Sequence, residues 1–536
     1  MSDQAGSAAP PPAAAGTAAS ERRAIAGRAG IVALGTLASR VLGLVRDQVI
    51  AAVFPRAITD AFFVAFTLPN VLRQLLAEGA VQSAVLPVLA ATRERDGDAA
   101  ARRFFANVRG LSLVLLVIVT ALGTAFAPLL VELFAGGFRE IPGQFERTVT
   151  FTRWVFPYIF FMGTAALGVA ALNTYQRFAV TAFAPALLNV AFVAFALTLP
   201  SWLGARGYDA GLALAAAALV GGGLQVVAQW PSLAKIGFLT TPRFHFGDPG
   251  VRQVLQRMGP VLLGMGVYYV DVLLARRFLS ELGLGAQSYF SWALTLCNFP
   301  QGIFVMALQT AALPSLARQA ARGDRVELAA TFAFGMRLTF FVAVPATALC
   351  VALAEPLVVL LFQRGAFDAE SARETARALV AQGSGIWTVA VVRQLVGLYY
   401  ALGDTRTPVV VAAIDLLAFI AAALLLRGPL GHVGVSAAVS IASAVQMVLL
   451  WTLARRRVPE LASSPLWGSI ARTLIAAGAA TGAALFAARA TIELGGSVAL
   501  SALSGGAAGV VTYAALAFAL GSTEIRAVLR RRRGSA

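Results

Sequence analysis

Fourteen stretches of apolar sequence, each long enough to cross a bilayer as a helix, decide what this chain can fold into. They are centred near residues 38, 75, 118, 160, 188, 221, 265, 302, 345, 390, 416, 443, 478 and 509. About 20 apolar residues suffice to span the hydrocarbon. A lipid environment leaves no water for unsatisfied backbone groups, so the fold class expected is an all-α polytopic membrane protein. Composition agrees, because only 13% of the 536 residues are charged and 58% are hydrophobic, whereas soluble domains run near 25% charged. The eighth and ninth spans are interrupted by prolines, so the sequence leaves their ends open.

The formal charge of +17 would suggest nucleic acid in a soluble protein. Here the bases fall into alternate loops, which sets topology instead. With the amino terminus inside, the inner loops hold Arg93, Arg95, Arg102 and Arg103, then Arg177, Lys235, Arg243, Arg318, Arg406 and Arg455 to Arg457. The outer loops are nearly neutral, apart from Arg276 and Arg277, which read as anchors at the outer end of the seventh span. Both termini are therefore expected in the cytoplasm.

Two weak echoes recur at one offset. SAVLPVLA at Ser83–Ala90 is echoed by AALPSLAR at Ala311–Arg318, and LNTYQRFAVTAFAP at Leu172–Pro185 by YALGDTRTPVVVAA at Tyr400–Ala413. A constant offset of about 227 to 229 residues implies two six-span lobes related by a pseudo-twofold parallel repeat. The organisation expected is a disordered tail over 1–23, an amino-terminal lobe over 24–236 and a carboxy-terminal lobe over 237–457. Two further spans over 458–522 and a basic tail over 523–536 complete it.

Catalysis finds no support. Cys297 and Cys350 lie far apart in apolar runs, His245 and His432 sit in loops, and no nucleophile, nucleotide or metal motif appears. The chain reads as no enzyme, with no cofactor and no metal.

The informative stretch is Ser39–Pro87, which places Arg40, Arg46, Asp47, Asp60, Arg73 and Glu78 in the first two spans. Ionisable groups at that depth cost roughly 2.5–3.5 kcal/mol each on insertion scales, so they face protein or water and mark function. At 100° per residue Ser39 falls about 20° from Arg46, and Arg40 about 20° from Asp47, with Gly43 midway between the two arginines. Gly43 would leave room for a ligand beside the helix backbone. Arg40 could pair with Asp47, which leaves Arg46 over. Asp60 and Glu78 approach opposite membrane faces, where they and Asp47 suit gating or latching. Guanidinium groups grip carboxylates and phosphates bidentately and stay charged. Arg40, Arg46 and Arg73, with Ser39 and Gly43, therefore suggest a transporter of an anionic, phosphate-bearing substrate.

At these residues the chain resembles a known family. SRVLGLVRD and TDAFFVAFTLPNVLRQLLAEGAVQSAVLPVLA, followed by FPYIFF, QWPSLAKIGF, FPQGIFVMALQTAALPSLAR and YYALGDTRTPV, resemble the MurJ/MviN proteins, lipid II flippases of bacterial cell-wall synthesis. The resemblance covers roughly Gly27 to Arg457. It implies the multidrug/oligosaccharidyl-lipid/polysaccharide exporter fold, with fourteen helices in two lobes plus a final pair bordering a groove for a polyprenyl tail. It implies alternating access that carries a lipid-linked diphosphate from the inner to the outer leaflet. Arg40, Arg46 and Arg73 would hold the diphosphate, and Asp60 and Glu78 would matter functionally. The partners implied are lipid II or a related undecaprenyl-diphosphate glycolipid, membrane lipids and wall-synthesis proteins. Membrane potential or a Na+ or H+ gradient would supply the drive.

One departure stands out. The family usually places Asp-Arg before the FP of the eighth span, where this chain has Leu294 and Thr295. Arg276, Arg277, Arg337 and Arg393 are the candidates to replace the missing arginine. Asp271 is a lone acid in the seventh span, an ion site or else a partner for Arg276. Three alternatives to lipid II flipping remain: a flippase for another undecaprenyl-diphosphate glycan, a cation-coupled drug exporter and a non-transporting scaffold.

Overall fold

In a computed structural model the chain is helical throughout, with no strand among the residues described, which are 13–75, 82–245, 247–301, 306–463 and 466–525. The first half runs through α1 (Ala13–Val53), α2 (Arg56–Arg73), α3 (Gln82–Ala125), α4 (Ala127–Ala135), α5 (Gln144–Val155), α6 (Tyr158–Thr174), α7 (Phe178–Gly204) and α8 (Leu212–Lys235). The second runs through α9 (Pro249–Ser280), α10 (Ala286–Pro300), α11 (Met306–Arg322), α12 (Arg325–Ala352), α13 (Ala354–Phe362), α14 (Ala369–Gly383), α15 (Ile386–Ala401), α16 (Arg406–Leu430) and α17 (His432–Arg457). A final hairpin, α18 (Leu466–Glu493) and α19 (Val498–Ala519), packs on α12 and α13.

Among the described residues, ten helical segments are long and apolar enough to cross a membrane, and they coincide with ten of the fourteen stretches read from the sequence. The other four, near residues 38, 75, 265 and 302, fall where charged side chains or residues outside the described set break the apolar run. Fourteen crossings stays an expectation. The helix α1 begins at Ala13, inside the stretch expected to be a disordered tail. The run AAAGTAASERRAIAGRAG is rich in alanine, the strongest helix former, and its proline cluster ends at Pro12.

The repeat is plainer in the helix breaks than in the residues. The nine-residue helices α4 and α13 begin 227 residues apart, at Ala127 and Ala354. Pro128 and Pro356 sit in their first turns, where a missing N–H costs nothing. The next span of each half is broken near its middle, at Phe156–Pro157 in the first and at Ser384–Gly385 in the second. The turn into the third span uses a left-handed glycine in both halves, Gly97 (φ +79°) and Gly323 (φ +71°), a conformation that a Cβ disfavours.

The largest apolar core joins the two halves. It gathers Ile50 and Phe54 of α1, Phe62 of α2, Tyr158 of α6 and Phe192 of α7 with Trp292 of α10, Val358 and Phe362 of α13 and Leu379 of α14. A second core, around Phe105 and Phe238, takes in Val251 and Val254 of α9, and a third, around Tyr399 and Leu450, lies within the second half. The halves are thus welded at the end where α1 finishes and α2 begins.

Candidate functional site

That end carries a dense set of polar ties across the halves. Asp60 of α2 is fully buried. Its carboxylate accepts the N–H groups of Gly285 and Ser288, the latter at 2.8 Å, and the hydroxyl of Ser288. These donors are the unsatisfied first turn of α10, so a side chain of one half caps a helix of the other. Thr59 adds a hydroxyl contact to Ser288 at 2.6 Å.

Arg276 lies beside them, fully buried, in the field of Asp60. It donates to Gln287 Oε1 at 3.0 Å and Ser291 Oγ at 2.8 Å. It is no exposed anchor: the polar start of α10, QSYFS, offers it acceptors inside the protein. Arg277 pairs with Glu281 and donates to the Glu132 carbonyl of α4.

A more exposed layer covers this one. Arg56 donates to the Tyr289 hydroxyl at 2.8 Å, to Glu370 at 2.9 Å and to Asp368 at 3.2 Å. The N–H of Ala366 bonds the Ala52 carbonyl at 2.7 Å. Gly365 has φ +58°, and a Cβ there would meet that same carbonyl at 2.2 Å, so only glycine lets the two backbones approach.

Deeper in α1 the charges are arranged otherwise than the helical wheel implies. Asp47 pairs with its neighbour Arg46, at 2.7 and 2.8 Å, and not with Arg40. Two helical turns separate Arg40 from Asp47, about 10 Å of rise, which a short Asp side chain does not bridge. Arg46 also donates to Asn189 Oδ1 of α7 at 3.1 Å and lies over the Phe192 ring. Asn189 donates in turn to the Ser39 carbonyl at 3.0 Å, and its Nδ2 stands 3.8 Å from where a Cβ of Gly43 would be. Ser39 and Gly43 thus lie on the side of α1 that meets α7.

Arg40 is the odd one out. No carboxylate pairs with it among the described residues, and its Nε is buried with no hydrogen-bond partner. The charge it feels is that of Arg393, on α15 of the second half. Arg73 closes α2 and donates to Asn70 Oδ1 at 2.9 Å. Glu78 lies outside the described residues. Arg337 is committed elsewhere, 3.7 Å from the buried Glu524 beyond α19. Thr295, on α10, contributes no charge.

Asp271 does not pair with Arg276. It faces Asp415 of α16, and its Oδ1 is buried without a partner. Asp415 is not among the site residues expected from the sequence. Its signal was there to see: two lone carboxylates in apolar runs of one lobe call for each other or for a cation.

A family model described as "Lipid II flippase MurJ" matches residues 50–503. The chain belongs to the MurJ family. A lipid II flippase MurJ of Burkholderia cenocepacia is 36% identical over 430 residues, which cover 79% of this chain and 82% of that one. A probable lipid II flippase MurJ of Vibrio cholerae is 33% identical over 465 residues, covering 85% and 88%. Among solved structures, a lipid II flippase MurJ in an inward closed conformation superposes with a TM-score of 0.74 at 20% identity, covering 93% of this chain and 99% of that one. An inward-facing multidrug transporter of the MATE family gives 0.65 at 16%, covering 80% and 96%. The transporter fold is therefore shared beyond MurJ, and the buried charges have to distinguish what is carried. Of the four arginines that could replace the missing one of the eighth span, Arg393 is the one in whose field Arg40 lies.

Proposed function

We propose that this protein flips lipid II, the lipid-linked peptidoglycan precursor, across the bacterial cytoplasmic membrane. The single observation that carries the reading is Arg40, a cation without an acid, facing Arg393 of the opposite lobe. An anion beside Arg40 offsets the field of Arg393 that this cation lies in, and a diphosphate has charge enough to do so. A cationic drug would be repelled by the same pair, which disfavours an exporter of the MATE type. Arg46 stands one turn and a half along α1, its charge partly spent on Asp47, and orients the site. Arg73 extends it along α2.

The ties around Asp60 and Arg56 form the outer closure of an alternating-access cycle, with both termini in the cytoplasm. Head group enters from the cytoplasmic side, the arginines hold its diphosphate, and opening of the Asp60 contact exposes it outside. Asp271 and Asp415 would hold a monovalent cation or a proton. The fit rests on an orphaned buried carboxylate oxygen and an all-oxygen donor pair suited to a hard cation. Such a charge would supply neutralisation of the acids within the second lobe.

The test uses proteoliposomes with labelled lipid II. Protein should make the label accessible to an impermeant reagent on the far leaflet, and Arg40→Ala should slow that strongly. Accessibility of another undecaprenyl-diphosphate glycan in place of lipid II would move the assignment to that substrate. Retained flipping in Arg40→Ala and Arg393→Ala together would end the proposal. Asp415→Asn should leave lipid II binding intact and remove any dependence on Na+ or on pH.

A further inference from the structure

A second set of contacts between the halves joins the end of α4 to the end of α9. Arg277 of α9 donates to the Glu132 carbonyl of α4 at 3.2 Å. Two residues past the end of α4, the N–H of Gly137 donates to the Ser280 hydroxyl at 3.2 Å. That hydroxyl donates in turn to the Arg277 carbonyl at 2.8 Å. Gly137 is buried here, and a Cβ on it would stand 2.5 Å from the Ser280 carbonyl oxygen and 2.7 Å from Glu281 Cα. These are backbone atoms, which no side-chain rotation moves aside.

The contact of Gly365 with Ala52 is its counterpart. Gly365 stands three residues past the end of α13, and Ala52 stands one residue before the end of α1. The repeat relates the partners as well as the turns. The short helices α4 and α13 begin 227 residues apart, and α1 and α9 end 227 residues apart, at Val53 and Ser280. A phenylalanine fixes each turn to its own half. Phe138 is buried with Val131 and Ala135 of α4, and Phe367 packs on Phe362 of α13 with ring centres 5.8 Å apart. Each half thus lays the turn after its short helix on the end of the other half's leading helix.

We propose that these two reciprocal clasps close the outer end, and that Gly137 and Gly365 are the residues that permit the closed state. The proposal rests on the reading of this end as the outer closure, and not on what is carried. Rocking of one repeat against the other is the expected motion of a transporter built from repeats, and it parts two contacts related by the repeat together. The groups set free are mostly backbone N–H and C=O. Gly365 is exposed and Gly136 half-buried, so water can replace the lost partners. A methyl group on either glycine has no room while the backbones touch. Once the turn has left its seat, the same methyl meets solvent.

The experiment places the full chain in nanodiscs, with spin labels at Arg206→Cys and Arg373→Cys and with Cys297 and Cys350 replaced by alanine. It reads the ratio of short to long label distances. Gly137→Ala and Gly365→Ala should each lower that ratio by roughly five-fold or more, the lower range for a methyl added to a packed contact. Gly137 is the cleaner site, because its φ is not positive and only the contact opposes alanine there. Ser280→Ala adds no bulk and removes one acceptor, so it should lower the ratio by roughly three-fold, the effect of one neutral hydrogen bond. It also carries the test if Gly137→Ala does not fold. Gly428→Ala, in α16 where a Cβ meets nothing within 4 Å, should leave the ratio unchanged. A ratio unchanged in Gly137→Ala and Ser280→Ala, or an equal shift in Gly428→Ala, would overturn the proposal. Lipid II flipped by protein whose labels never separate would end the reading of this end as the closure, and the clasps with it.

Discussion

The two charged regions of this protein are built on opposite plans. Around Asp60 each charged group has partners: Asp60 has the first turn of α10, Arg276 has Gln287 and Ser291 although its Nε has none, and Arg56 has Tyr289, Glu370 and Asp368. Around Arg40 one charge is left over and faces another of the same sign. A region that satisfies itself holds the halves together. The half-buried Arg40, with no acid beside it among the described residues, is the group we propose to receive a ligand. The difference separates a latch from a binding site using the same residue types.

The largest expected effect strikes at the unspent charge. Arg40→Glu should abolish lipid II flipping, and Arg40→Ala should lower it by roughly 10- to 100-fold, the range of a lost hydrogen bond to a charged group. Thermal unfolding in detergent should not fall for Arg40→Ala, because among the described residues no carboxylate pairs with it. A loss of stability equal to the loss of transport would show Arg40 to be structural.

Arg46→Ala sharpens the contrast, since it should damage both. Asp47, 5% exposed, would be left as a buried acid without its partner, at a cost of about 3 kcal/mol. The double variant Arg46→Ala, Asp47→Asn should recover the melting temperature while transport stays reduced. If stability does not recover, the pair with Asp47 is not what Arg46 contributes to the fold.

Much of this was legible from residues alone, and the failures have particular causes. The apolar runs and the 227-residue offset gave the lobes, because a helix that must span a membrane announces itself by length. The wheel placed Arg40 beside Asp47 by angle and ignored rise. The actual pair, Arg46 with Asp47, forms because a long guanidinium arm can fold onto an adjacent carboxylate. Arg276 read as an anchor because its depth was inferred from the apolar run on one side only. Its acceptors lie eleven and fifteen residues on, across a turn, and no periodicity connects the two helices. Asp415 escaped for the same reason: its partner Asp271 is on a helix far away in sequence. What single-helix patterns cannot carry is the pairing of helices.

Asp60→Asn tests the latch where it is best satisfied. The amide keeps one acceptor but loses the charge that complements the helix terminus, an effect of about 1 kcal/mol for an ordinary cap, or roughly five-fold in the population closed at this end. Spin labels at Arg206→Cys and Arg373→Cys, with Cys297 and Cys350 replaced by alanine, would read the separation of the lobes there. An unchanged distance distribution would mean the apolar core around Phe62 and Trp292 closes the end by itself.

Arg56→Ala should shift the same distribution least, two-fold or so, because its carboxylate partners are half exposed and such pairs contribute about 0.2–1 kcal/mol. The shift should fade in about 1 M salt, which screens the pair. Acidity should not mimic it in the ordinary range. The Ser371 N–H, with Arg56 assisting, holds the Asp368 carboxyl below the usual carboxylate range, while Tyr289 and Glu370 raise the Arg56 guanidinium further above its own. A depressed carboxyl contributes fully above its ordinary pKa of about 3.9 and loses its contribution only as pH falls through the lower value. From about pH 5 to 8 this layer should therefore read as constant in the wild type. Opening within that window would have to come from a group other than Asp368 and Arg56. Because Arg56→Ala removes only this layer, opening that persists in the variant would place the sensitive group beneath it.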